Sequence, residues 1–182
     1  FFTPSNDTLT VRALYNANAI ALMLEWDDRT RSIPGDGAAE KIADENMGED
    51  AVAVQLPLTV TFGAEKPYFA MGDEARPVSL WKWRSGTTKR PARTGLFTAT
   101  GLGKLSQRDA AKARLSATGV YRDGTWRVVF TRPLGPPEAA HGPALPPGKF
   151  IPIAFSAWDG SNGERVGAHT LTTWYWLLLV PS

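Results

Sequence analysis

The 182-residue chain has no cysteine and only two histidines, His141 and His169. The first absence excludes disulfides, thiolate metal sites and any cofactor joined through a thioether, and it leaves the redox compartment open. The second makes zinc a poor expectation, since such a site wants three or four His, Cys or acidic ligands. An excess of one charge is also lacking. Lys and Arg number 20 against 18 Asp and Glu, a net +2, with no basic run interleaved with aromatics, so nucleic acid is not an expected partner. No apolar run approaches a membrane span; the longest, Trp174 to Val180, is far too short. No signal peptide is visible. A chain that begins at Phe1 rather than Met is expected to have a processed or truncated start, for which a removed export signal would be one cause.

Hydrolase and nucleotide signatures are missing as well. His169 has Ser161 and Asp159 nearby in sequence, but there is no GxSxG nucleophile elbow. Gly101 to Lys104, GLGK, lacks the phosphate-loop spacing and a preceding strand.

What is present is alternation. The length suits one domain with a full core, spanning residues 1–182. Thr8 to Trp26 reads as a β-hairpin turning at Asn16-Ala17-Asn18. Residues 31–50 read as a polar, Gly-rich surface loop with a short turn of helix. Asp44, Glu45, Glu49 and Asp50 lack the ligand order of a calcium loop, so a solvated acidic loop is expected. Val52 to Phe62 is a strand broken near Leu56 by Pro57. Met71 falls on a short loop, where a methionine ordinarily fills a gap in a core. Val78 to Trp83 is a strand with Leu80 facing away from Trp81 and Trp83.

Residues 84–104 read as a long polar loop. Ser106 to Ala117 reads as a surface helix capped by Ser106. Gly119 to Arg132 reads as a hairpin turning at Arg122-Asp123-Gly124. Pro133 to Pro147 is a Pro- and Gly-rich connection in which His141 is expected to be exposed and inert. In Phe150 to Trp158, Ile151, Ile153, Phe155 and Ala157 alternate with Pro152, Ala154, Ser156 and Trp158. Asp159 to Gly163 is a turn cluster, and a strand rich in aromatic and β-branched residues resumes at His169. About eight short strands predict a mainly β protein, an antiparallel β-sandwich with one or two short helices. Seven tryptophans suit either such a core or a large flat ligand.

AFSAWDGSNGER (Ala154 to Arg165), followed by a basic side chain and an aromatic strand, together with KPYFAMGDEARPVSLWKW (Lys66 to Trp83), resembles one family. These are the haem-binding γ subunits of molybdenum enzymes related to ethylbenzene dehydrogenase, selenate reductase, chlorate reductase and dimethylsulfide dehydrogenase, the type II dimethyl sulfoxide reductase family. The resemblance extends over most of the chain from Thr8 onward. It implies one non-covalent b-type haem whose axial ligands match Met71 and His169, at a separation similar to the family's. The family's second ligand is usually lysine, so histidine there is a departure, and Lys149 is the alternative donor. Tyr68, Phe69, Trp81 and Trp158 would wall the porphyrin, and Lys66, Arg76, Lys82 or Arg165 would pair with its propionates.

With both axial positions filled such a haem carries electrons, so the chain is not expected to be catalytic by itself. The resemblance implies a periplasmic heterotrimer with an iron–sulfur β subunit and a molybdenum α subunit, serving a soluble c-type cytochrome or similar electron carrier. The stretches Arg84 to Lys104 and Pro133 to Pro147 are long for a compact domain, so at least one of them is expected to contact another subunit. The competing expectation is a carbohydrate-binding sandwich that stacks sugars on exposed Trp81, Trp83, Trp158 and Trp174.

Overall fold

The computed structural model describes residues 8–43, 46–164 and 169–181. Eleven strands appear among them: β1 (Thr10–Tyr15), β2 (Ala19–Asp27), β3 (Ala51–Pro57), β4 (Val78–Arg84), β5 (Arg93–Ala99), β6 (Leu105–Arg108), β7 (Ser116–Arg122), β8 (Thr125–Pro133), β9 (Phe150–Trp158), β10 (Thr170–Leu171) and β11 (Tyr175–Leu178). One turn of helix, α1 (Gly37–Glu40), is capped by Asp36, whose carboxylate accepts from the Ala38 amide. A four-stranded antiparallel sheet runs β1-β2-β8-β7. A larger one runs β10-β9-β3-β4-β5-β6, with β11 also paired to β9. This is the expected mainly β sandwich.

The core between the sheets follows from period-two patterning. Ile20, Leu22, Leu24 and Trp26 of β2 and Trp126, Val128 and Phe130 of β8 point inward from one sheet. Val52, Val54 and Leu56 of β3, Trp81 and Trp83 of β4, and Ile151, Ile153, Phe155 and Ala157 of β9 meet them from the other. The Trp83 and Trp126 rings touch edge to face at 4.9 Å. Gly119 of β7 lies under Trp83, and a Cβ there would come within 2.2 Å of the indole. The β7–β8 turn places Asp123 and Gly124 at φ 51° and 75°, the left-handed pair that a tight hairpin needs.

Four sequence expectations are corrected. Ser106 to Ala117 is not a helix. Its start is β6 and its end opens β7, with turns between and Arg114 at φ 53°. Good helix formers lose here because Ala113 and Leu115 are drawn into the core and the flanks pair with β5 and β8. Residues 84–104 are not one loop, because β5 is hydrogen-bonded on both edges to β4 and β6. His141 is buried, at 4% exposure, and its carbonyl accepts from the Ser79 hydroxyl at 3.4 Å. The strand after His169 is two pieces, β10 and β11, laid along one edge of β9 and broken at Thr172–Trp174. The break turns Trp174 onto the loop before Met71, where its indole N–H donates to the Pro67 carbonyl at 2.7 Å.

Candidate cofactor pocket

The larger sheet is buried on both faces at β3, β4 and β9. Its outer face carries a second, smaller apolar cluster: Ala51, Ala53, Met71, Val78, Leu80, Ala99 and Trp158. Strand register explains why this face is hollow. Ser156, Ala53, Lys82 and Gly95 lie in one row across four strands, so three small residues flank one long side chain. The β5–β6 turn and the loop carrying Met71 cover the row and leave a cavity of about 320 Å³, whose walls include Met71, Leu80, Lys82, Arg84, Leu105 and Trp158. Its size suits a cofactor or a drug-sized ligand.

Met71 reaches the cavity because its loop is held from several sides. The Gly72 amide donates to the Tyr68 carbonyl at 2.9 Å, the Gly101 amide to the Met71 carbonyl at 2.9 Å, and the Gln55 side-chain amide to the Phe69 carbonyl at 2.9 Å. These bonds keep Met71 at φ 68°, a left-handed conformation that costs a non-glycine residue about 1–3 kcal/mol. Gly72 follows at φ 72°, and a Cβ on it would meet the Arg76 carbonyl at 2.9 Å. The Met71 side chain is 4% exposed and packs with Trp158 and Leu80, not in the core between the sheets.

Trp158 links the other candidates. Lys82 Nζ lies 3.4 Å from the centroid of its ring, and the His169 ring stacks on it with centroids 4.5 Å apart and planes 22° apart. Two groups so close to one face would collide, so the indole is sandwiched between amine and imidazole. His169 is thus one ring removed from the cavity wall. Lys82 is 8% exposed, and of its other neighbours only Glu49 offsets its charge in part. Burial, and then the Arg84 guanidinium, push its pKa down to about 7. Glu49 is committed elsewhere: Arg93 grips both its oxygens, at 2.5 and 2.8 Å. Burial alone would raise Glu49, but that two-point contact outweighs it and holds the carboxylate below its ordinary value.

Beside the cavity sits an acidic node that the sequence reading missed. Asp50 is fully buried, which corrects the expectation of a solvated acidic loop. Its oxygens accept from the Ser32 amide at 2.6 Å, the Trp126 indole at 3.0 Å and the Gly160 amide at 3.0 Å. Carboxylate oxygens of Asp28, Asp50 and Asp159 lie within 4.8 Å of one another. Burial, reinforced by the charges of Asp50 and Asp159, lifts Asp28 to about 8, and burial lifts Asp50 to about 6. Asp44 and Glu45 lie outside the described residues.

The remaining sequence candidates fall elsewhere. Tyr68 is 55% exposed and meets the exposed Phe69 ring at a tilt of 55°, and neither lines the cavity. Trp81 points into the core between the sheets, the opposite face of β4 from Leu80 and Lys82. Lys149 precedes β9 while Trp158 ends it; nine extended residues separate the two by roughly 30 Å. Lys149 is not among the residues that line the cavity with Met71 and Trp158. Lys66 lies over the Trp176 ring and Arg76 is bound to Glu65 and Asp73, both away from the cavity. Arg165 lies outside the described residues. Trp81, Trp83 and Trp158 are each 2% exposed or less and Trp174 is half-buried, so the sugar-stacking surfaces expected of them are not there. Arg84, which the sequence reading passed over, shares the cavity wall with Lys82. The alternation in VSLWKWR carried that signal.

The family model described as ethylbenzene dehydrogenase matches residues 3–96 and 98–170. The chain belongs to the ethylbenzene dehydrogenase family. Among curated proteins it is similar to one from Haloferax mediterranei named as a respiratory nitrate reductase haem subunit, 29% identical over 94% of this chain and 55% of that protein. It is also similar to the chlorate reductase subunit gamma of Ideonella dechloratans, 32% identical over 97% of this chain and 66% of that protein. The chain therefore spans between half and two thirds of the length of these relatives. A crystal structure from Bacteroides uniformis, named as a carbohydrate-binding protein, aligns with a TM-score of 0.49 at 10% identity, over 91% of this chain and 68% of that one. A haem implied by the ethylbenzene dehydrogenase family fits the residues present. A thioether, a buried amine without a hydrogen-bond partner among the described residues, and apolar side chains including Leu80, Leu105 and Trp158 line the cavity. Arg84 and the engaged Glu49 and Glu164 line it with them, and an imidazole stands behind one wall.

Proposed function

We propose that this chain is the electron-transfer subunit of a periplasmic molybdenum oxidoreductase and carries one non-covalent b-type haem, whose iron Met71 and His169 would hold. The observation that carries the proposal is Met71. It is a buried methionine held in a strained turn with its side chain on a cavity wall, outside the core where a gap-filling methionine would sit. Family membership and the names of the relatives support the same reading.

When bound, the haem supplies a one-electron couple, and a thioether donor favours its reduced state. The chain's own residues bind, orient and exclude water. Leu80 and Trp158 form the apolar wall, and the Met71 turn fixes one donor. Ligation through His169 asks the Trp158 indole to turn aside, because that ring now lies between amine and imidazole. A haem held by two side chains would leave no position for substrate, so the chain would do no substrate chemistry by itself. That chemistry belongs to a molybdenum α subunit, with an iron–sulfur β subunit between it and this chain. A soluble c-type cytochrome or similar carrier takes the other end of the relay. Exposed parts of residues 84–104 and 133–147 are the expected contacts with these partners.

Absorption spectra of the protein from its native host, oxidised and reduced, test the proposal. A low-spin Soret band is expected, and Met71→Ala and His169→Ala should each move it towards high spin. Absence of any Soret band overturns the proposal. A low-spin band unchanged in His169→Ala removes His169 as a ligand.

A further inference from the structure

We propose that Lys82, with Arg84 beside it on the same strand face, anchors a carboxylate of the flat ligand that fills the outer-face cavity. This rests on the haem reading, in which the carboxylates are the two propionates of the porphyrin.

Four observations carry it. Lys82 is buried among small neighbours that leave its amine no partner: Ala53 and Gly95 flank it in register, and Ser156 lies beyond Ala53. Among the described residues it makes no hydrogen bond or ion pair, and the face of Trp158 is its one polar contact. A buried ammonium without an anion is unfavourable, and strands rarely keep one unless something else arrives to compensate it. The neighbouring acids are already engaged. Glu49 is held at both oxygens by Arg93, and Glu164 accepts from the Asp159 amide at 3.0 Å and the Asn162 side-chain amide at 3.3 Å. Arg84 lines the same cavity, half-buried, and it too makes no hydrogen bond or ion pair among the described residues.

Lys82 and Arg84, only partly offset by Glu49, share the cavity with apolar side chains such as Met71, Leu80, Leu105 and Trp158. The engaged carboxylates of Glu49 and Glu164 line it too, and the cavity is amphipathic. It is suited to a planar hydrophobic body with negative charge at one edge. The depressed pKa of Lys82, near 7, is the electrostatic mark of that missing anion. Two of the other basic side chains offered by the sequence are placed elsewhere: Lys66 lies over Trp176, and Arg76 is already bound to Glu65 and Asp73; Arg165 lies outside the described residues.

The test uses the full chain purified without cofactor. Wild type and Lys82→Met are titrated with iron protoporphyrin IX and with its dimethyl ester, which keeps ring and iron but has no free carboxylate. Binding is read from the Soret band and from quenching of tryptophan fluorescence. Lys82→Met is expected to weaken the acid form by about tenfold or more and the ester by less than about twofold, as loss of a charge-assisted contact would. Equal weakening of both forms, or of neither, while wild type still takes up haem, overturns the anchor and leaves the haem reading standing. If wild type binds neither porphyrin, the haem reading fails and anilinonaphthalene sulfonate, a flat aromatic anion, decides. Weaker binding to Lys82→Met then supports the anion site, and equal or absent binding overturns it. Should Lys82→Met not fold, Arg84→Gln at the half-buried rim gives the same discrimination with a smaller loss, and no discrimination there counts against the anchor.

Discussion

Asp50 and Lys82 are charged side chains buried where β3 and β4 run side by side, and the chain treats them in opposite ways. Asp50 is met by N–H donors from three distant segments: the Ser32 amide, the Gly160 amide and the Trp126 indole. Lys82 is met by the face of one indole and a cavity. Arg132 is a buried cation better supplied with partners, although its Nη1 has none among the described residues. It donates to the Pro143 carbonyl at 2.6 Å and the Pro133 carbonyl at 3.2 Å, with its guanidinium 4.7 Å from the Trp81 ring centroid. A buried charge surrounded by partners ties segments together, whereas one facing a cavity keeps its interaction for a ligand.

The largest break in that contrast should come from Asp50→Ala. It strands three buried N–H donors at once and should cost on the order of 4 kcal/mol, read from the urea unfolding midpoint. A loss below about 1 kcal/mol would mean that the node is not a tie.

An effect of comparable size comes from titration, and the two regions have opposite signs. Asp28 in the fold titrates near 8 against an ordinary 3.8, so between about 4 and 8 the folded state keeps a proton that the unfolded chain has lost. Stability therefore falls as pH rises through that window, and Asp28→Asn should flatten the fall. Lys82 titrates near 7 against an ordinary 10.5, so between those values the folded state has lost a proton that the unfolded chain keeps. Stability then rises with pH, and Lys82→Met should abolish the rise. Below pH 7 the cofactor-free variant should be more stable than wild type, by up to about 5 kcal/mol. The two slopes together place a minimum of wild-type stability between about pH 7 and 8, and thermal melts across pH that show a maximum there would contradict both assignments.

The smallest effect is expected at Lys149, whose amine lies 5.6 Å from the Phe62 ring centroid at the surface. Lys149→Ala should change stability by less than about 0.5 kcal/mol and leave any Soret band unmoved. A lost band would return Lys149 to the ligand question.

Local pattern was enough for much of the fold. Period-two alternation in ALMLEW, VSLWKW and FIPIAFSAW identified β2, β4 and β9, and Asp123-Gly124 identified the β7–β8 turn, because strand pleat and turn dihedrals are properties of neighbouring residues. The same alternation put Leu80 on the face opposite Trp81. Local pattern failed at Ser106 to Ala117, whose helical propensity was overridden by pairing with strands about ten and fifteen positions away, and at β5, whose polar composition hides a strand hydrogen-bonded on both edges.

For the site, sequence alone determined the donor types on offer, one methionine on a turn and a histidine entering an aromatic strand. It also determined that any cofactor here is attached without cysteine. Which cations serve the cavity was decided by tertiary structure alone. Lys66, Arg76, Lys82 and Lys149 are equivalent as letters. They become different only when register puts Lys82 in a row of small residues under a roof, gives Arg76 its acids and sends Lys149 to the far end of β9. Burial and the position of counter-charges are sums over residues distant in the chain, and those sums exist only once the sheets have closed.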